Sequence, residues 1–308
     1  MVQQFATRES CGVSSAKGAT SYNTSMPEHT PLEAVDYLLI GHLTVVLTSS
    51  GPRLGGTAAY SALAARALGL RVGIVTSGAE DLPLAPLADF PIVRIPAEHS
   101  TTFENIHTPE GRRQTLHHRA ETLTYEHVPA AWRTAPILHL APLAQEIPAE
   151  MAAQASAGLT GLTPQGWLRA WDEQGHVHPC AWDAAEQVLP HVGAMVISRE
   201  DVGGDEEQIE FFAHHVRVLA VTEGASGSVL YWHGDRRRFR APRVEEVDPV
   251  GAGDIYAAGF FIRLYTTRDP WEAARFATQF AAYSVTRPGL AGIPTQSEIQ
   301  ACLMEVLS

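Results

Sequence analysis

Hydrophobic positions along the chain gather into short apolar runs separated by longer mixed stretches. "AVDYLLIGHL" (Ala34 to Leu43), "RVGIVTSG", "APILHLAPL", "GAMVISRED", "VRVLAVTEG" and "GSVLYWHGD" each carry such a run, bounded by glycine, proline or charge. Continuous apolar runs of that length predict strands buried on both faces. Between several of them the period becomes helical. "LGGTAAYSALAARALGL" reads as an alanine-rich helix opened by Gly55-Gly56 and closed by Gly69, and "EEQIEFFAHH" as a second helix. Strands alternating with helices predict a largely parallel sheet covered on both faces. One stretch departs from this rhythm. After "FPIVRIP", residues Thr101, Phe103, Asn105 and His107 alternate onto one face, and "TPEGRR" supplies a turn before "RQTLHHRAETL". This predicts a two-stranded projection over about residues 99–120. No repeat or linker follows residue 30, so residues 31–308 read as one domain. Residues 1–30, rich in Ser, Thr and Gly and without hydrophobic pattern, read as a disordered leader.

Composition narrows the partners more than the fold. At 308 residues and 45% apolar content the chain can build one large α/β core. A net charge of -12 argues against a nucleic-acid backbone or an anionic membrane as main partner, while leaving room for a small anion held locally. Cys11, Cys180 and Cys302 lie far apart and form no CxxC pair, which fits a reduced, cytoplasmic protein. The leader lacks the apolar stretch of a secretory signal, and no run approaches the roughly 20 apolar residues of a membrane span. His117-His118 and His176/His178 lack metal-ligand spacing and read as solvated histidines.

The chemistry concentrates in "VEEVDPVGAGDIYAAGFFIRLY", Val244 to Tyr265. Consecutive small residues let the backbone N–H groups of Gly251, Ala252 and Gly253 face one concavity, and the helix start adds unpaired donors and partial positive charge. Together these suit phosphate oxygens. Asp254 then has two readings: it caps the helix, or it takes a proton from a hydroxyl while the turn neutralises charge on a transferred phosphoryl group. Two more glycine-punctuated turns, "LGGTAAYSA" and "VTEGASGSVLY", would reach the same edge of a parallel sheet, where α/β proteins bind ligands. The second also reads as a plain β-hairpin. No GxxxxGK[ST] sequence occurs, so a P-loop is not supported.

The ordered set of motifs resembles the ribokinase-like (PfkB) family of ATP-dependent carbohydrate kinases. "DPVGAGD" resembles that family's C-terminal signature, "LGGTAAYSALAARALGLRVGIVT" its double-glycine motif, "VTEGASG" the turn that meets the nucleotide, and "AAYSVTRPGLAGIP" the stretch closing the nucleotide pocket. The resemblance implies a three-layer α/β sandwich with a mainly parallel central sheet and a small β lid. It implies ATP and Mg²⁺ as cofactors, and a monovalent cation near Asp248. Asp254 becomes the base, with Gly251, Ala252 and Gly253 as its anion hole. Thr222, Gly224, Gly227, Ser198 and Thr278 border the nucleotide, and Asp201 orders water around the metal. Gly55 and Gly56 would let substrate approach the backbone, and Asn105 and Arg113 on the projection are candidate substrate contacts. The implied partner is a small sugar or polyol, with neither nucleic acid nor membrane, and the chain would be a monomer or homodimer.

The departures are informative. Val46 stands where the family carries an acid that holds sugar hydroxyls, and Tyr60 replaces an asparagine. Ser198 and Asp201 in "SRED" stand for an NxxE motif. The interval from Gly41 to Gly55 is short, so a reduced lid supplied mainly by residues 101–118 is expected. "IGHLTVVL", followed by the double glycine and "TTFEN", is similar to the plant-type inositol kinases, which implies a cyclic polyol such as myo-inositol. "TPQGWLR" (Thr163 to Arg169) also resembles a segment common among such relatives, without an evident role. A nucleoside kinase of the same fold, using Tyr60 and Phe103, and a catalytically silent nucleotide-binding regulator remain alternatives.

Overall fold

The computed structural model describes residues 32–108 and 111–304; the expected leader lies outside the described residues. In chain order the first elements are β1 (Tyr37–Ile40), β2 (Thr44–Leu47), β3 (Arg53–Gly55), α1 (Thr57–Ala67), β4 (Val72–Gly78), β5 (Ile92–Pro96), β6 (Thr102–Thr108) and β7 (Gly111–His118). Then come β8 (Ile137–Leu140), α2 (Met151–Gln154), β9 (Leu159–Leu162), β10 (Arg169–Trp171), β11 (Val177–Pro179), α3 (Ala185–Val188), β12 (Ala194–Ser198) and α4 (Glu206–His215). The last are β13 (Val218–Thr222), β14 (Ser228–Trp232), β15 (Asp235–Phe239), α5 (Ala252–Thr267), α6 (Pro270–Ser284) and α7 (Gln296–Leu303).

Nine strands form the central sheet in the order β15-β14-β13-β12-β9-β8-β1-β4-β5. Pairing is parallel from β13 to β5 and antiparallel where β14 and β15 extend it. Every residue of β1 is buried because its alternating side chains serve two cores. Tyr37 and Leu39 join α1, α5 and α6 on one face, while Leu38 and Ile40 join Trp132 and Phe212 of α4 on the other. The three-layer sandwich follows from that alternation.

Helix starts show how deliberately their N-terminal donors are satisfied. Asp205 accepts from the amides of Glu207 and Gln208 at α4, Asp269 from those of Trp271 and Glu272 at α6, and Thr295 with Glu298 forms a capping box at α7. Helix α5 begins at Gly251 with no side-chain cap at all. Its free end is where the cleft lies. Among the described residues no helix is long and apolar enough to cross a membrane.

The lid differs from expectation. It is a four-stranded sheet in the order β3-β2-β6-β7, so half of it precedes the helix that the double glycine opens. The short interval suffices because β2 and β3 have four and three residues and meet through a tight turn, in which Gly51 N–H donates to Thr48 O at 3.0 Å. Beyond the lid, β10 and β11 form a separate antiparallel hairpin that the hydrophobic pattern did not announce. Nor did it announce β15, whose "DRRRF" is almost wholly exposed, as suits an edge strand.

The lid is rooted in a buried polar knot. His42 bonds through its ring nitrogens to Thr101 Oγ1 (2.6 Å) and Glu121 O (2.8 Å), while Thr101 Oγ1 accepts from Ala120 N–H. The fully buried Glu146 carboxylate accepts from the amides of His42, Leu143 and Ala144 at 2.7–3.0 Å. Removing it would strand three buried donors, each costing about 1–3 kcal/mol when unsatisfied. Glu146→Ala should therefore lower unfolding free energy by roughly 3 kcal/mol or more, read from the urea midpoint; an unchanged midpoint would contradict the role assigned to this knot.

Candidate active site

Parallel strands send their C-terminal ends to one edge, and there a cleft of about 1610 Å³ opens beneath the lid. Its floor is the start of α5. Gly251 adopts φ +82°, which L-residues resist, and a Cβ there would meet the Tyr60 ring at 2.2 Å. Tyr60 thus fills the space that Gly251 vacates, which fixes the turn against α1. Ser61 Oγ adds a hydrogen bond to Asp254 O at 2.9 Å. Gly253 behaves oppositely: its φ is ordinary, and a Cβ there would meet nothing within 4 Å. That open space lies at the uncapped helix end, where a phosphate group is favoured.

Asp254 sits in the first turn of α5 but caps nothing. Its carboxylate lines the cleft together with the Thr57 side chain. Burial pushes its pKa up to about 6; the Thr57 hydroxyl lowers it, the nearby Asp201 raises it and Arg169 lowers it. A carboxylate of that pKa is charged at neutral pH yet a better proton acceptor than a free aspartate. Burial, with the charges of Asp254 and Asp248, keeps the Tyr60 phenol protonated.

Around this floor the expected residues are largely assembled. Ser198, Asp201, Thr222, Gly224, Gly227, Thr278, Gly55, Gly56 and Asn105 all line the cleft with Gly251 to Asp254. Their reasons differ in places from those expected. A Cβ on Gly55 would strike Val46 Cγ2 at 2.6 Å, and one on Gly56 (φ +91°) would reach His42 O at 2.8 Å, so the chain's own packing demands these glycines. Gly227 is likewise required by Phe239 O. Ala252 N–H is spent on Pro249 O at 3.2 Å. The Thr278 hydroxyl donates to Ala274 O and pairs with Ser228 Oγ, which makes it part of the slot's wall. Arg113 is exposed and outside the cleft lining. The β6–β7 register sets Arg113 opposite Ile106 and puts Gln114 opposite Asn105, with Gln114 Nε2 donating to Asn105 Oδ1 at 2.9 Å.

Asp201 is held in place: Oδ2 accepts from Ser198 N–H at 2.8 Å and Oδ1 from Gln165 Nε2 at 3.1 Å. Each oxygen keeps a second lone pair, which fits a carboxylate that reaches a divalent ion through water. Among the described residues no cluster of three His, Cys, Asp or Glu side chains could hold a metal unaided. Asp248 staples the flanking loops together, taking Val250 N–H at 3.0 Å and Gly289 N–H at 2.8 Å. The histidines singled out earlier serve surface pairing: His117 meets Glu104, His176 meets Asp172, and His118 stacks on His99.

With the geometry in place, comparison with known proteins becomes specific. The pfkB family carbohydrate kinase description matches residues 169–296. Over those residues the chain is similar to the pfkB family carbohydrate kinases. The matched stretch holds Ser198, Asp201, the Thr222–Gly227 turn, Gly251 to Asp254 and Thr278. Inositol 3-kinase of Oryza sativa subsp. japonica is 32% identical over 140 residues, 42% of this chain and 33% of that protein. The chain spans about a third of the length of the curated relatives it matches. The fold is that of ribokinase. A pyrophosphate-dependent kinase in the ribokinase family, complexed with a pyrophosphate analog and myo-inositol, superposes with TM-score 0.69 at 18% identity, over 86% of this chain and 99% of that one. Arabidopsis thaliana ribokinase complexed with ribose and ATP gives 0.68 at 17% identity, over 88% and 99%. Sequence reasoning missed Thr57, Gln114, Gln165 and Arg169 as cleft residues. Only "TPQGWLR" signalled the last two.

Proposed function

We propose that the chain is an ATP-dependent kinase transferring the γ-phosphoryl group to a hydroxyl of a small sugar or cyclic polyol. The observation that carries this reading is the uncapped, side-chain-free start of α5 with an ionised carboxylate one residue beyond its open cradle. In the step, the acceptor oxygen bonds to the γ-phosphorus as the bond from that phosphorus to the ADP oxygen breaks. The hydroxyl proton goes to Asp254, and the amides of Gly251 and Gly253 take the charge of the transferred oxygens. A bound Mg²⁺ would supply further neutralisation of phosphate charge, with Asp201 behind its water shell.

The donor side favours a nucleoside triphosphate over bare pyrophosphate. Past Thr222 the cleft is lined by Ala225, Pro242, Val244, Ala281 and Val285, an apolar slot suited to a purine and of no use to an inorganic anion. On the acceptor side, Val46, Phe103 and Leu143 form apolar walls and Asn105 and Gln114 offer neutral amides. This suits a ring of uncharged hydroxyls, and the likeness to inositol 3-kinases makes myo-inositol the first acceptor to try. The nucleoside-kinase reading is weakened because the Tyr60 ring is almost fully buried and packed on Gly251.

The test is product formation from ATP or pyrophosphate with Mg²⁺ across cyclitols, pentoses, hexoses and nucleosides. Turnover with ATP and a cyclitol is the expected result. Turnover with pyrophosphate alone would overturn the donor assignment, and a nucleoside acceptor the acceptor assignment. ATP binding without any turnover would make the chain a nucleotide-binding regulator.

A further inference from the structure

The segment "TPQGWLR" places a cation where the proposed reaction needs one. Arg169, at the start of β10, lines the cleft with Asp254 and acts on that carboxylate electrostatically. Its guanidinium is aimed from two sides. Nε donates to Gln165 O at 3.2 Å, from the body of the molecule, and Nη1 donates to Gln114 Oε1 at 2.8 Å, from lid strand β7. The β10–β11 hairpin is stitched to the same strand: Leu116 N–H donates to Gly175 O at 2.8 Å, and Thr115 bridges to His176. Gly175, at φ +81°, permits this approach, since a Cβ there would fall 2.3 Å from Leu116 O. The arginine therefore bridges the body of the molecule and the lid.

The charge balance makes the position consequential. Glu104, Glu200, Asp201, Glu246, Asp248 and Asp254 line the cleft, whereas its described cations are Arg53, Arg169 and Arg243. Arg53 is turned to Ser50 at the lid tip, and Arg243 comes from the loop on the donor side. Lys17, the sole lysine of the sequence, lies outside the described residues. A phosphoryl group in transfer spreads negative charge over three oxygens, and a planar guanidinium is the side chain best shaped to meet two of them.

We infer that Arg169 is a catalytic residue that donates to an equatorial oxygen of the phosphoryl group in transfer, held in its aim by Gln114 of the lid. The inference rests on the kinase reading above and adds no new reactant: ATP loses its γ-phosphoryl group to the acceptor oxygen and the proton passes to Asp254. Arg169 stays charged throughout.

The experiment compares wild type, Arg169→Gln, Arg169→Lys, Gln114→Ala and Asp254→Asn, using the acceptor that turns over in the panel. Arg169→Gln should lose about 100-fold in kcat, with acceptor KM and ADP affinity changed less than about threefold. Arg169→Lys should recover part of that loss, and Gln114→Ala, which only releases the aim of the guanidinium, should lose about tenfold. A second readout needs no turnover. Aluminium fluoride with Mg²⁺ and acceptor should tighten ADP binding to wild type and fail to do so in Arg169→Gln, because it mimics the planar transferring group. Near-normal kcat in Arg169→Gln, or a loss confined to KM with the aluminium fluoride effect intact, overturns the inference. If Asp254→Asn is silent while Arg169→Gln is normal, only this inference fails; a silent wild type fails the kinase reading as well.

Discussion

Asp254→Asn is expected to lose about 10²–10⁴-fold in turnover while becoming more stable than wild type at neutral pH. Both effects have one cause. The carboxylate is partly buried at the cleft floor, and burial lifts its pKa from 3.8 to about 6. The folded state thus holds the proton more tightly than the unfolded state. Its contribution to stability is fully present below about pH 4, and it is lost as pH rises to about 6 and the acid ionises inside the fold. Above that pH the wild type bears an ionisation cost that an asparagine escapes, at most about 3 kcal/mol for a displacement of this size. Urea unfolding of both proteins at pH 4 and pH 8 reads it directly. The variant should be the more stable at pH 8, and the difference should shrink toward pH 4. ADP should bind normally, and the acid limb of the wild-type kcat/KM profile should fall near pH 6 as the base is protonated. Turnover within tenfold of wild type would end the general-base assignment, whatever the stability result.

What the sequence disclosed and what it concealed divide along a physical line. Strands β1, β4, β8, β12 and β13 were legible because burial on both faces leaves continuous apolar runs. The "GAGD" turn was legible because two further glycine turns would reach the same edge of a parallel sheet. Strands β2 and β3 were not, since "TVVL" and "RLG" are too short to show a period, and only pairing of β2 with β6 and of β3 with β2 makes them strands. Arg113 is the expected contact and Gln114 the one that lines the cleft, because a hairpin's register depends on turn geometry and a one-residue difference reverses the face. Gly55 and Gly56 were recognised as necessary, but no sequence says which protein neighbour forbids a side chain; here Val46 and His42 both do. Arg169 lies 85 positions before Asp254, and their meeting is purely tertiary.

The same distinction between glycines needed for folding and glycines needed for chemistry yields a paired prediction inside the signature itself. In Gly253→Ala the new methyl meets no protein atom within 4 Å and requires no unusual φ. It should fold normally, with helix α5 if anything favoured by alanine. Yet the methyl occupies the cradle beside two anion-holding amides, and displacing a transferred group by even 1 Å costs about 10²-fold. A loss of about 10²–10³-fold in kcat with an unchanged melting temperature is expected. Gly251→Ala meets the opposite fate. Its methyl would overlap the Tyr60 ring at 2.2 Å from a residue held at φ +82°, so the turn must shift and stability must fall by about 1–3 kcal/mol. Pairing it with Tyr60→Leu discriminates further: relieving the ring should restore part of the stability, because strain and clash share that one contact. Thermal melts and steady-state rates on the four proteins separate the two roles. If Gly253→Ala were fully active, the open volume at the start of α5 would not be where the phosphoryl group passes, and the donor would have to enter the cleft elsewhere.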